Sequence, residues 1–268
     1  MGWGLGPNKG SALSFGGDCS CPPLRHWQQI HHVRAPGMAT FEELSTGRAY
    51  LPFDTAAYPF LATMQSILGW QDLEQLHESL PDGGTGIHVT FENDQRTPFH
   101  LKFYESPELM TFEELYHKFV REQVAPMFKD DYIVYQKRPT FRVCLPNNVA
   151  VGQRHRDGDY NHPPGEINFW MPFTRVWDSN GMYVESQPDK GDFQPVQCEY
   201  GQMFRFYGNR CWHYNELNKT GITRVSVDFR VIPGSMWQDP GDEVAGTVKS
   251  GLKMNIGGYY ADYRKPGV

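Results

Sequence analysis

The 268 residues carry 25 Lys and Arg against 31 Asp and Glu, a formal net charge of -6, so no broad electrostatic footprint exists for nucleic acid or anionic lipid. The length accommodates one large domain with its own core. With 27 Gly, 20 Pro, 14% aromatic and only 21% charged residues, short strands joined by turns are favoured over a helical bundle.

In chain order, residues 1–37 are rich in Gly, Ser and Pro, show no hydrophobic period, and read as a flexible leader. Cys19-Ser20-Cys21 and His31-His32 lack the second paired set of a structural zinc site. The five cysteines are too few and odd in number for a disulfide framework, which fits a reducing compartment. No apolar run spans a bilayer and no secretory signal opens the chain, so the expectation is a soluble, cytoplasmic protein without a membrane partner.

Thr40-Phe41-Glu42-Glu43 and Thr111-Phe112-Glu113-Glu114 each place Thr three residues before Glu, a reciprocal capping pattern that predicts helix starts. Apolar residues near helical spacing over 59–80, and Leu115, Phe119, Val120 and Val124 in the second helix, read as core contacts. Strands are predicted over 86–91 and 98–104, then over 132–137, 140–145, 150–157, 166–173, 182–186, 193–199, 202–207, 211–214 and 222–232. The domain is read as 38–268, with a helix and strand extension over 38–131, a β core over 132–233, and a tail over 234–268. The tail carries Tyr259, Tyr260 and Tyr263 and serves either as a lid or as packing against the sheet. The expected class is mainly β with flanking helices, a sandwich or jelly roll.

Residues two apart on a strand share a face, so His155 and Asp157 can turn an imidazole and a carboxylate to one point while Arg156 faces away. His213, far downstream, is the candidate for a third ligand, completing a two-histidine, one-carboxylate set with open positions for oxidant and cosubstrate. Eleven residues on, Arg224 and Ser226 share a face, and a guanidinium beside a hydroxyl suits a buried carboxylate.

The order H-x-D, distant His, R-x-S over roughly 132–233 resembles the Fe(II)/2-oxoglutarate dioxygenases built on a double-stranded β-helix, a cupin-like jelly roll. The resemblance implies that His155, Asp157 and His213 hold Fe(II), that Arg224 and Ser226 bind the far carboxylate of 2-oxoglutarate, and that O2 takes the remaining position. Glu166-Ile167-Asn168-Phe169-Trp170-Met171-Pro172, together with Asn215 and Asn218 after His213, is similar to the phytanoyl-CoA hydroxylase branch and to oxygenases of streptomycin-type antibiotic clusters. Related halogenases carry a small residue where Asp157 stands, so the resemblance implies hydroxylation or another oxidation.

Gln153, Asn168 and Trp170 should share the metal face and contact cosubstrate or substrate, although Asn168 could equally tie backbone groups together. On 222–232, Arg224, Ser226, Asp228 and Arg230 alternate with Val225, Val227, Phe229 and Val231. Arg230 then binds either a carboxylate in the pocket or Asp228. Arg142, with Arg138, is a candidate for the pocket mouth, whereas His162 and Asp159 break the alternation and are poor ligand candidates. The expected activity is hydroxylation of a small molecule. The alternatives are an AlkB-like demethylase, which resembles this chain in the Arg224 to Arg230 interval but fits its acidic balance poorly, a metal-binding cupin isomerase, and a noncatalytic binding protein. Substrate identity and oligomeric state are not written in these residues.

Overall fold

The computed structural model describes residues 37–85, 87, 93–150, 153–241, 244–247 and 251–267, which all belong to the unit Val33–Val268. The expected leader, apart from Gly37, and the expected strand over 86–91, apart from Ile87, lie outside the described residues. Thr40 caps helix α1 (Phe41–Ser45) as its spacing predicts, exchanging hydrogen bonds with Glu43 in both directions. Strand β1 (Ala49–Pro52) follows, then α2 (Phe60–Leu68), which closes on Gly69 at φ 61°, a left-handed turn that glycine adopts without steric cost.

Two predictions fail in the next stretch. Residues 98–104 form a helix, α3 (Pro98–Tyr104), not a strand. Phe99, Leu101 and Phe103 imitate strand alternation, but Pro98 occupies the first helical position, where its missing N–H costs nothing, and Leu101 is left 48% exposed while Phe99, His100 and Phe103 are buried. Helix α4 (Leu109–Phe119) starts before Thr111, which is therefore not its cap. The earlier start adds Leu109 to the buried face of Phe112, Tyr116 and Phe119, and that burial outweighs the local capping pattern.

From Tyr132 onward the chain is built of β2 (Tyr132–Gln136), β3 (Thr140–Cys144), β4 (Ile167–Pro172), β5 (Met182–Val184), β6 (Gln194–Pro195), β7 (Gln202–Phe206), β8 (His213–Asn215), β9 (Arg224–Pro233) and β10 (Tyr260–Arg264). One sheet runs β1-β7-β4-β9-β2-β10, with β3 also pairing β9, and a smaller sheet runs β6-β5-β8. Every strand pair is antiparallel. Within the tail, β10 hydrogen-bonds along β2 from Tyr260↔Gln136 to Arg264↔Tyr132.

Alternation on the large sheet separates the core from the site. Ile167, Phe169 and Met171 of β4 and Val225, Val227, Phe229 and Val231 of β9 join the helices in one apolar cluster, where Phe169 and Phe229 stack with centroids 5.3 Å apart. The opposite face carries Trp170, Phe204 and Phe206 against Val184, Val196 and Cys198, a second cluster. On that same face β9 presents Arg224, Ser226, Asp228 and Arg230, opposite Pro172, Trp170 and Asn168 of β4. These buried polar residues form one wall of the site.

Candidate metal centre and carboxylate anchor

The segment before Asp157 is not the regular strand that alternation suggests. Residues 151 and 152 lie outside the described residues, and His155 joins the fold through one antiparallel bridge to His213. Asp157 then opens a 3₁₀ turn, Asp157–Tyr160, ended by Asn161 at φ 70°. The bridge does what a strand would have done, because His155 N donates to His213 O and His213 N to His155 O, both at 3.0 Å, setting the two histidines side by side. Their rings lie 4.3 Å apart between centroids. Each Nδ1 faces a backbone carbonyl, Gln153 O at 2.7 Å for His155 and Cys211 O at 3.0 Å for His213. A carbonyl only accepts, so both Nδ1 atoms carry the proton and both Nε2 lone pairs are free to ligate.

The carboxylate completes the cluster. Asp157 Oδ1 stands 4.0 Å from His155 Nε2 and 3.6 Å from His213 Nε2, and the three ligating atoms all lie within 4.8 Å of one another. Asp157 Oδ2 is otherwise engaged, accepting Arg230 Nε at 3.1 Å, Arg230 Nη2 at 3.0 Å and Asn168 Nδ2 at 2.7 Å. Burial by itself would raise the Asp157 carboxyl, but the Arg230 charge outweighs it and holds the group well below the usual carboxylate range. Burial, with the neighbouring His213, pushes His155 down to about 4, which keeps its imidazole neutral at physiological pH. One oxygen and two neutral nitrogens on one side of a point are a donor set suited to a first-row divalent ion.

Behind this cluster lies a guanidinium that pairs with no carboxylate among the described residues. Arg224 is 3% exposed, and its Nη1 donates to Asn180 O and Asn215 Oδ1, each at 2.8 Å, while Nε has no protein partner. Ser226, fully buried on the same face of β9, has an equally unpartnered hydroxyl. Burial lowers the Arg224 guanidinium below its usual value, the response of a cation removed from water without a counter-charge. Two orphaned donors beside each other fit a terminal carboxylate, and with the His-Asp-His cluster they fit Fe(II) with chelating 2-oxoglutarate. The cluster and Arg224 line one cavity of about 630 Å³.

The other expected residues divide. Trp170 lines the cavity, with its ring centroid 5.8 Å from the Arg224 guanidinium carbon. Asn168 takes the backbone-tying role as well as holding Asp157, since its Oδ1 accepts Gly208 N at 3.0 Å. Gly208 is required there, because a Cβ would sit 2.7 Å from the Asn168 amide. Gln153 is exposed and does not line the cavity, so its contribution is the carbonyl that orients His155. Its expected shared face depended on a strand that does not form. Arg230 and Arg142 line the cavity, but both are bound to protein carboxylates: Arg230 to Asp157 and to Asp228 at 2.6 Å, Arg142 to Asp228 and Asp94, each at 2.8 Å. Of the two readings of Arg230, the ion pair with Asp228 is the one present. Asp159 pairs with Arg156 at the surface and His162 with Glu166, so neither joins the ligands.

Asn180, Asn215 and Gln136 were not among the expected site residues. Asn215 follows His213 by two on β8, so alternation could have found it. Gln136 Oε1 accepts Arg230 Nη1 at 3.2 Å, and Asn180 acts through its carbonyl, a contact no side-chain motif encodes.

No protein-family model matches the chain. Among solved structures, the chain is similar to the non-heme monooxygenase ThoJ in its Ni complex, at 12% identity and TM-score 0.43 over 85% of this chain and 89% of that one. It is also similar to the non-heme alpha-ketoglutarate-dependent carbocyclase SnoK from nogalamycin biosynthesis, at 14% identity and TM-score 0.43 over 74% and 87%. CytC3 with Fe(II) and alpha-ketoglutarate matches at 14% identity and TM-score 0.43 over 82% and 86%. The streptomycin biosynthesis protein StrG of Streptomyces griseus is 35% identical over 212 residues, 78% of this chain and 96% of StrG. With that identity over nearly the whole of StrG, the chain belongs to the family of the streptomycin biosynthesis protein StrG.

Proposed function

We propose that the protein is an Fe(II)- and 2-oxoglutarate-dependent oxygenase that hydroxylates a small molecule, on a double-stranded β-helix formed by its two antiparallel sheets. His155, Asp157 and His213 ligate the metal, and Arg224 and Ser226 bind the far carboxylate of 2-oxoglutarate. The observation that carries this reading is the buried Arg224 guanidinium, without a carboxylate partner, in the same cavity as three convergent ligand atoms. An isomerase or a plain metal-binding cupin has no need of that anchor. When bound, the iron and cosubstrate supply the oxidising power for placing one atom of O2 on the substrate, the other leaving in succinate alongside carbon dioxide.

The chain's own part is positional. Arg230 and Asn168 occupy Asp157 Oδ2, which leaves Oδ1 as the carboxylate atom that would hold a metal together with His155 and His213. Trp170 and Phe206 give the cavity apolar walls that limit water. The StrG name supports a substrate from natural-product biosynthesis. Succinate formation from 2-oxoglutarate is the test. It is expected to require added Fe(II) and to be lost in His155→Ala and His213→Ala; full iron occupancy with undiminished turnover in both variants would sink the reading.

A further inference from the structure

Between the metal cluster and the C-terminal segment, the cavity contains a second built charge arrangement with no part in holding metal or cosubstrate. Glu166, fully buried at the start of β4, lies 2.8 Å through Oε2 from His162 Nδ1 and accepts the Tyr260 hydroxyl at Oε1. The His162 ring lines the cavity with 13% of its side chain exposed, against Tyr259 with centroids 5.8 Å apart. Since Nδ1 is held by Glu166, the ring's remaining nitrogen, Nε2, has no protein hydrogen-bond partner among the described residues. A carboxylate taken fully out of water requires a cation or strong donors. Here His162 supplies the cation, and burial, which alone would lower its proton affinity, is outweighed by the charge of Glu166 2.8 Å away, so the affinity is raised.

The remaining charges of the cavity indicate what such a group meets. Arg138 is paired with Glu113, Arg142 with Asp94 and Asp228, and Arg230 with Asp157 and Asp228. Lys137 is exposed, lines the same cavity, and donates its backbone N to Tyr259 O at 2.8 Å, which puts it next to the segment that packs on His162. No ion pair of its ammonium is found among the described residues. The substrate side of the cavity therefore offers donors and cationic groups, and its acids are already neutralised by arginines.

We infer that His162, held by Glu166, is a substrate-binding residue that donates from Nε2 to an oxyanion of the substrate, a carboxylate or a phosphate, with Lys137 as a second cationic contact. This rests on the oxygenase reading, since it takes the Arg224 end of the cavity to be filled by 2-oxoglutarate. The test uses the full chain loaded with Zn(II) and 2-oxoglutarate and labelled with ¹⁵N at histidine, His162 being assigned by the resonance lost in His162→Phe. Zn(II) should move the His155 and His213 resonances; if it does not, the oxygenase reading fails independently of this one. Titration with inorganic phosphate, and separately with acetate, is expected to move the His162 Nε2 resonance saturably, the tighter of the two identifying the oxyanion. Glu166→Gln should weaken that binding by about tenfold or more, as loss of a charge-assisted contact does. Lys137→Ala, at an exposed position remote from the core, should weaken it several-fold with the fold intact. A purely structural His162 to Glu166 ion pair leaves the resonance unmoved by either anion, and that result overturns the proposal.

Discussion

The two oxygens of Asp157 have different neighbours, and the difference can be tested. Oδ2 accepts three hydrogen bonds and Oδ1 faces the histidines. Asn168→Ala is expected to weaken metal affinity by roughly 10- to 100-fold, the usual effect of losing a group that orients a ligand, measured by calorimetric titration with Mn(II). Arg230→Met should in addition lower the stability of the metal-free protein by about 3–5 kcal/mol in urea unfolding, because it strands a buried carboxylate. Arg224 gives the complementary case, a buried cation awaiting its anion. In the metal-loaded protein, 2-oxoglutarate at about 100 times its Kd should stabilise by about 2.7 kcal/mol, and in Arg224→Met that gain should vanish from the melting curve. The convergence of His155, Asp157 and His213, with Arg224 in the same cavity, was legible in the sequence because these residue types in that order are chemically constrained. Gln153 was misplaced because its assignment rested on a regular strand, whereas it lies in an exposed bend and His155 pairs with His213 through a single isolated bridge.

At the scale of elements, β9 has two faces with separable duties. Phe229, fully buried, stacks on Phe169 and meets Tyr116 edge-on with centroids 5.2 Å apart, whereas Ser226 on the other face has no partner for its hydroxyl. Phe229→Ala should cost about 3–5 kcal/mol in chemical denaturation. Ser226→Ala should leave the unfolding midpoint unchanged or slightly raised, since it removes an unsatisfied hydroxyl, while weakening 2-oxoglutarate binding; equal loss of stability in both variants would contradict the separation of faces. Strand β9 was readable because Arg224, Ser226, Asp228 and Arg230 alternate in polarity with Val225, Val227, Phe229 and Val231, even though both of its faces are buried. Helix α3 was misread because seven residues are too few for periods of 2 and 3.6 to diverge, and the decision came from Pro98 and from the packing of Phe103 on Phe141 at 4.6 Å.

For the molecule as a whole, the apolar clusters are closed without any contribution from a metal, as Phe60, Phe112 and Phe119 pack on one another and on the sheet. Removing bound metal with a chelator should therefore lower the melting temperature while leaving the far-ultraviolet circular dichroism of a folded protein, unlike the collapse of a zinc finger. The cavity walls are assembled from segments far apart in sequence; the meeting of His155 with His213 was inferred from motif order, whereas the pairing of Arg230 with Asp157 has no local signal and emerges only in the structure. The C-terminal strand was the least legible large element, because its burial pattern is mixed and its partner, β2, lies on the far side of the whole β region in sequence. That placement has a consequence for biosynthesis. The wall formed by Gly257, Gly258 and Tyr259 is tied to the sheet where β10 zips onto β2, so a nascent chain that has not emerged past Arg264 has the His155, Asp157 and His213 cluster already made but that side of its cavity still open to solvent. Enclosure of the cavity is a late event in the life of each new molecule.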